Sequence, residues 1–296
     1  MSHAADELST QPDCWQRAAE LAPAHRDMLP APGERVAITG CGTSYFMARA
    51  AAALREAAGL GETDAFPASE FPTGRRYDRV IALTRSGTTT EVLDLLAGLR
   101  GRTRTTAVIG DPDTPVAALA DDLAVLAFAD ERSVVQTRFA TTAFTLLRAH
   151  FGEHRAEAVA DARTALAQPL PEGLAECRQF TFLGRGWTVG LAEEAALKMR
   201  EASLSWAEAY PAMEYRHGPI SVTGEDSATW MFGEAPVGLP QQVAATEGRW
   251  IQGVLDPLAE LVRAQSLALA VAARRDLDPD SPRHLTRSVI LAGEVR

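Results

Sequence analysis

Twice along this 296-residue chain a short apolar run ends in a glycine turn and passes directly into a helical stretch. The first run is Arg35-Val-Ala-Ile-Thr39, closed by Gly40-Cys-Gly-Thr-Ser44; the second is Gln179-Phe-Thr-Phe-Leu183, closed by Gly184-Arg-Gly186. Further apolar runs at Asp78–Thr84, Thr105–Ile109 and Leu123–Ala127 alternate with helical patterns. Strands that are apolar on both faces belong to a parallel sheet covered by helices on both sides. The repeated start therefore predicts an α/β fold made of two parallel-sheet units.

The remaining punctuation sets the expected boundaries. Residues 13–29 read as a helix, followed by helices to Ala58, from Glu91 to Arg100, and over 136–167 with a break near Gly152. Gln168-Pro-Leu-Pro-Glu-Gly173 is the strongest linker signal. After it come a helix over Thr188–Ser203, a strand over Thr229–Phe232, a helix over Asp256–Ala273 and a β-like tail at Arg287–Leu291. The expected organisation is an N-terminal helical segment (1–34), a first unit (35–167) and a second unit (174–296). Few convincing strands lie between Gly218 and Asp256, so the second sheet is expected to be reduced.

The chain carries 39 acidic and 29 basic residues, a formal net charge of −10. This balance argues against nucleic acid as the main partner, because phosphate-backbone binding needs a basic footprint. No apolar run approaches the ~18 residues of a membrane-spanning helix. The first 16 residues lack both the positive region and the apolar core of a signal peptide. Cys14, Cys41 and Cys177 are too widely spaced for a disulfide framework or a CxxC zinc pattern, so no metal is expected. A cytoplasmic globular protein follows from these features.

Two loops at strand ends share one composition: Gly42-Thr43-Ser44 and Thr84-Arg85-Ser86-Gly87-Thr88-Thr89. Small hydroxylated residues leading into a helix N-terminus suit an anion, since free N–H groups, the helix dipole and hydroxyls all point at it. The alternative is that Ser and Thr merely cap their helices. Two such loops in successive strand–helix units favour a phosphate site. Neither loop is a Walker A motif, and Gly40-Cys-Gly lacks the third glycine of a dinucleotide fingerprint.

Of the 29 basic residues, Lys198 alone is lysine, and the other 28 are arginine. An amine can lose its proton and act as base or nucleophile, which a guanidinium cannot. Glu194, Lys198 and Glu201 follow an i, i+4, i+7 spacing that puts them on one helix face. Two carboxylates around an amine suit proton transfer and substrate orientation; the spacing alone equally allows an exposed Glu–Lys surface pair. Downstream, His217 sits in Tyr210-Pro-Ala-Met-Glu-Tyr-Arg-His-Gly-Pro219, a rigid context suited to an acid–base imidazole or to a structural histidine.

Together these segments resemble the sugar isomerase (SIS) family, in particular the isomerase half of glucosamine-6-phosphate synthase and stand-alone aminosugar-phosphate isomerases and deaminases. The resemblance covers about Arg35 to Leu291. It rests on Gly40-Cys-Gly-Thr-Ser-Tyr45, Ser86-Gly-Thr-Thr-Thr90, Glu194-Ala-Ala-Leu-Lys-Met-Arg-Glu201, Ala207-Glu-Ala-Tyr210, Arg216-His-Gly-Pro219 and Asp280-Ser-Pro-Arg-His-Leu-Thr-Arg-Ser288. It implies a pair of flavodoxin-like units and phosphate binding by Ser44, Thr84, Ser86 and Thr89, with Thr43 beside them. Glu201 matches the carboxylate that moves a proton between C1 and C2, and His217 matches the ring-opening group supplied by a neighbouring subunit. Lys198 and Glu194 match the substrate-facing helix. A homodimer with a shared hexose-phosphate site, needing neither metal nor cofactor, is thus implied.

Three departures from the family pattern stand out. Arg287 falls where the family carries its C-terminal catalytic lysine, and arginine cannot form a Schiff base with a ketose. Arg85 replaces a common glutamine and is expected to strengthen the anion contact. The stretch from His217 to Arg287 is short. With no glutaminase-type region ahead of the SIS part, the resemblance favours isomerisation or deamination of an amino-sugar 6-phosphate over synthesis. A non-catalytic phosphosugar sensor and a fructosamine-6-phosphate deglycase are the alternatives.

Overall fold

The computed structural model describes residues 2–291. They form two units that interleave along the sequence. The first unit comprises Cys14–His154 and the tail from His284; the second comprises the residues through Asp13 and Arg155–Arg283. Each unit contains one parallel sheet, of five and four strands respectively, as the repeated strand–turn–helix pattern predicts.

In the first unit the elements are α2 (Gln11–Leu21, which begins in the second), β1 (Val36–Gly40), α3 (Thr43–Ala57), β2 (Thr63–Pro67), β3 (Arg79–Thr84), α4 (Thr90–Leu99), β4 (Arg104–Ile109), β5 (Asp122–Val125) and α5 (Arg138–His150). The strand order is β2-β1-β3-β4-β5, with Val36 opposite Arg79 and Thr84 opposite Ile109. β1 and β3 are buried at every position, which is why both read as unbroken apolar runs. One face packs Val80, Ala82, Ala107 and Ile109 against Leu95, Leu96 and Leu99 of α4. The chain leaves β1 toward β2 but crosses to β3 on the other side, so the sheet's topological switch falls between β1 and β3. Ligands of open α/β sheets bind at such a point, beyond the strand carboxyl ends. Both hydroxyl-rich loops start there.

The second unit holds α1 (His3–Ser9), α6 (Glu157–Ala167), β6 (Gln179–Gly184), α7 (Thr188–Ser203), β7 (Trp206–Pro211), β8 (Ser227–Met231), α8 (Leu239–Ala244), β9 (Arg249–Gln252) and α9 (Pro257–Arg274). Its order is β7-β6-β8-β9, with Leu183 opposite Tyr210 and Met231. Phe182, Trp230 and Phe232 stack in its interior. Gly184 is required where β6 turns into α7, since a Cβ there would lie 2.3 Å from the Thr188 carbonyl oxygen. Asp280 fastens α1 by accepting from the His3 and Ala4 amides at 2.7 and 2.8 Å.

The second sheet is smaller than the first by one strand, yet fuller than its sequence suggests. β2, β7 and β9 carry no strong strand signal, and all three lie at sheet edges, where one side meets solvent and polar residues intrude. The expected strand at Arg287–Leu291 does not form. That segment is an extended tail tied to the start of α4, where the Thr90 amide donates to the Val289 carbonyl at 3.1 Å. No helix among the described residues is long and apolar enough to cross a membrane.

Candidate functional site

The phosphate-type residues of the first unit assemble at its switch point. Gly40 closes β1, and a Cβ there would come 2.8 Å from the Ser44 Cβ, so glycine lets α3 start against the strand. Thr43 and Ser44 open α3 behind Gly42, which is the N-cap and has φ +54°. On the adjacent strand Thr84 ends β3, and the loop turns at Gly87 (φ +61°) before Thr89, the N-cap of α4. A Cβ on Gly87 would stand 2.1 Å from Thr114 Oγ1. Thr43, Ser44 and Thr84 are buried, and Ser86 and Thr89 half-buried.

The capping alternative predicts side-chain bonds at these helix starts. Neither helix has one: Gly42 has no side chain, and the Thr89 hydroxyl does not cap α4. Ser86 Oγ instead accepts from the Thr88 amide at 3.3 Å and from Thr88 Oγ1 at 3.0 Å. Cys41, inside the first loop, has its thiol pushed up to about 11 by burial and by the nearby Glu91 carboxylate. It stays neutral near pH 7 and adds no negative charge to the loop.

The second cluster lies on α7. The i, i+4, i+7 spacing brings Glu194, Lys198 and Glu201 together, but on a buried face rather than a surface one. The Lys198 side chain is 1 % exposed and that of Glu194 0 %, at 3.7 Å from each other. Lys198 also pairs with Glu201, whose side chain is 19 % exposed. Glu201 opens on a cavity of about 150 Å³ lined by Asp276, Asp278, Ser281 and Arg283 as well. Sequence reasoning gave these four no role, although Ser281 and Arg283 belong to the motif that begins at Asp280.

His217 ends a short 3₁₀ turn over Glu214–His217. The turn is pinned by the two residues that precede His217. Tyr215 is fully buried, its hydroxyl bonded to Thr223 and to Thr229. Arg216 donates from Nε to Gln242 Oε1 at 2.7 Å and from Nη2 to the Val237 carbonyl at 2.5 Å. His217 itself is exposed and makes no side-chain hydrogen bond among the described residues. Nor is any group of three or more His, Cys, Asp or Glu arranged there to hold a metal ion.

Curated relatives match most of the chain. The isomerizing glutamine–fructose-6-phosphate aminotransferase of Gloeobacter violaceus is 28% identical over 315 residues, covering 86% of this chain and 52% of that protein. The chain thus spans about half the length of the curated relatives it matches. Among solved structures, a glucosamine-6-phosphate deaminase from Thermotoga maritima has a TM-score of 0.84 and 25% identity, covering 98% of this chain and 100% of its own. A tagatose-6-phosphate ketose/aldose isomerase from Escherichia coli shares the fold at a TM-score of 0.81 and 18% identity, over 100% and 97% of the two chains. These similarities match the sugar isomerase (SIS) resemblance read from the sequence. No protein-family model matches it.

The two arginine departures from the SIS pattern have defined partners. Arg287 holds Asp130 through two bonds from Nη2, at 2.7 and 2.8 Å to the two carboxylate oxygens. Arg85, expected to contact the anion, is buried and donates to the carbonyls of Ser133 and Arg287 at 2.8 and 2.9 Å. Asp130 carries no motif, and nothing in the sequence marks it as the partner of Arg287.

Proposed function

We propose that this protein is a phosphosugar isomerase acting on a hexose 6-phosphate, most naturally an amino sugar, with deamination as the outcome of the amino-sugar reaction. The observation that carries the reading is the Glu201–Lys198 pair: a partly exposed glutamate lining a cavity, backed by the chain's single, buried lysine. The relatives' names, an isomerizing aminotransferase and a glucosamine-6-phosphate deaminase, support the substrate class.

The roles follow from the chemistry. Ser44, Thr84, Ser86 and Thr89, with Thr43 beside them, take the phosphate through hydroxyls and helix N-terminal amides. His217, exposed on its pinned turn, serves ring opening in the site of a neighbouring copy, within a cytoplasmic homodimer. Glu201 removes the C2 proton of the open-chain aldose and returns it to C1, while Lys198 orients the oxygen at C1. With a 2-amino sugar this transfer leaves a C2 imine, and addition of water releases ammonia and the 2-ketose phosphate. Lys198 is the amine available for imine chemistry, since Arg287 cannot supply one.

Incubation with glucosamine 6-phosphate tests the proposal through release of ammonia and fructose 6-phosphate. Solvent-deuterium incorporation at C2 detects slower isomerisation. Tight binding with neither signal would establish the sensor reading instead.

A further inference from the structure

Arg85 lies in the middle of the loop that the proposed function assigns to phosphate, yet its guanidinium points into the protein. The residue is 2 % exposed. Nη1 donates to the Ser133 carbonyl at 2.8 Å and Nη2 to the Arg287 carbonyl at 2.9 Å, so one planar fork joins two segments distant in sequence. The carbonyl of Arg85 in turn accepts from the Gly110 amide at 3.1 Å. Asp130 packs at the same place, for a Cβ on Gly110 would come 2.9 Å from its Oδ1, and Asp130 holds the Arg287 side chain.

Beyond Arg287 the tail crosses the phosphate-type loop. Ser288 Oγ meets Thr88 Oγ1 at 2.9 Å, the Val289 carbonyl accepts from the Thr90 amide at 3.1 Å, and the Leu291 amide donates to Thr90 Oγ1 at 2.9 Å. Thr88 gives its only hydroxyl proton to Ser86 Oγ, which makes Ser288 the donor to Thr88. The relay Ser288→Thr88→Ser86 leaves the Ser86 proton for an incoming oxygen.

We infer that Arg85 is a positioning residue: it anchors segment 286–291 across the Thr84–Thr90 loop and so fixes the Thr88–Ser86 relay that presents a donor to phosphate. The consequence for binding rests on the proposed function; the anchoring of the tail does not. Lysine cannot replace the fork, because an ammonium is a point charge that does not span two fixed carbonyls in one geometry.

Hydrogen exchange on the unliganded full chain reads the anchoring directly. In Arg85→Lys and Arg85→Gln the Thr90 and Leu291 amides are expected to exchange about tenfold faster or more, as loss of such hydrogen bonds implies, while β1 and β3 amides stay unchanged. Titration with a hexose 6-phosphate should show affinity falling about tenfold in both variants, matching the same loss. A direct phosphate contact predicts the opposite: Arg85→Lys keeps affinity, and tail amides keep wild-type protection. That result overturns the inference. Should neither variant fold, removal of the residues after Leu285 gives the reading from the other side. Affinity falls if the tail positions the loop, and wild-type affinity overturns the claim. A wild-type chain that binds no hexose phosphate would refute the proposed function, while the exchange rates still decide the role of Arg85.

Discussion

The Lys198 ammonium in α7 is shared between two carboxylates, paired with Glu201 one turn ahead and 3.7 Å from Glu194 one turn behind. Removing one partner of a buried ion pair leaves its counterpart uncompensated. Lys198→Met removes the charge both depend on and is expected to destabilise the protein by about 3–5 kcal/mol, read as a lower urea midpoint near pH 7. An unchanged midpoint would show that the lysine does not hold the cluster together.

Glu201 reaches the cavity, whereas Glu194 is enclosed. Glu201→Gln keeps the shape of the side chain and removes its basicity. Turnover of a hexose 6-phosphate should fall by about 10²–10⁴, the usual contribution of a general base, with affinity changed little. Steady-state kinetics beside direct titration separates the two, and equal turnover in the variant would remove Glu201 from the chemistry.

Gly87 meets two constraints at once, a φ of +61° and a neighbour 2.1 Å from where a Cβ would sit. Gly87→Ala is expected to cost about 1–3 kcal/mol in backbone strain, and more for moving Thr114. Because the strain falls in the phosphate-type loop, KM for the sugar phosphate should rise. Thermal melts and kinetics on the same preparation check both effects.

His150 ends α5 with Nε2 bonded to the Pro30 carbonyl at 2.8 Å. Burial holds its pKa below the ordinary 6.5, outweighing the opposing pull of that carbonyl. The unfolded chain then takes up the proton first as pH falls, so stability rises with pH between the folded and unfolded values and is lost on acidification through them. His150→Gln should flatten that part of a Tm-against-pH profile. A variant with the same slope as wild type would place the titration elsewhere.

Much of this architecture is legible in the chain because its central strands are enclosed on both faces. β1 and β3 contain no polar alternation to obscure them, and α7 runs over the same Thr188–Ser203 that its pattern predicts. β2, β7 and β9 are missed for the converse reason: Asp64, Pro67, Glu208 and Arg249 suit half-solvated edges and mask the strands. Spacing put Glu194, Lys198 and Glu201 on one face but could not tell a surface face from a buried one. The partners of Arg85 and Arg287 were beyond reach altogether. Backbone carbonyls carry no sequence signature, and the bond from Arg85 to Arg287 joins positions 202 residues apart.

The interleaving of the two units bears on the order in which this chain can fold. The loop at Thr84–Thr90 and its strap at 286–291 are separated by nearly all of the second unit, and α1 waits on Asp280 from the far end of that unit. On a ribosome the first sheet can pair long before its strap has been synthesised. Closing so long a loop is entropically costly and slow compared with pairing neighbouring strands. The Thr84–Thr90 loop is therefore among the last parts of the molecule to reach its final shape, and a nascent chain with a finished first sheet still lacks its finished strap.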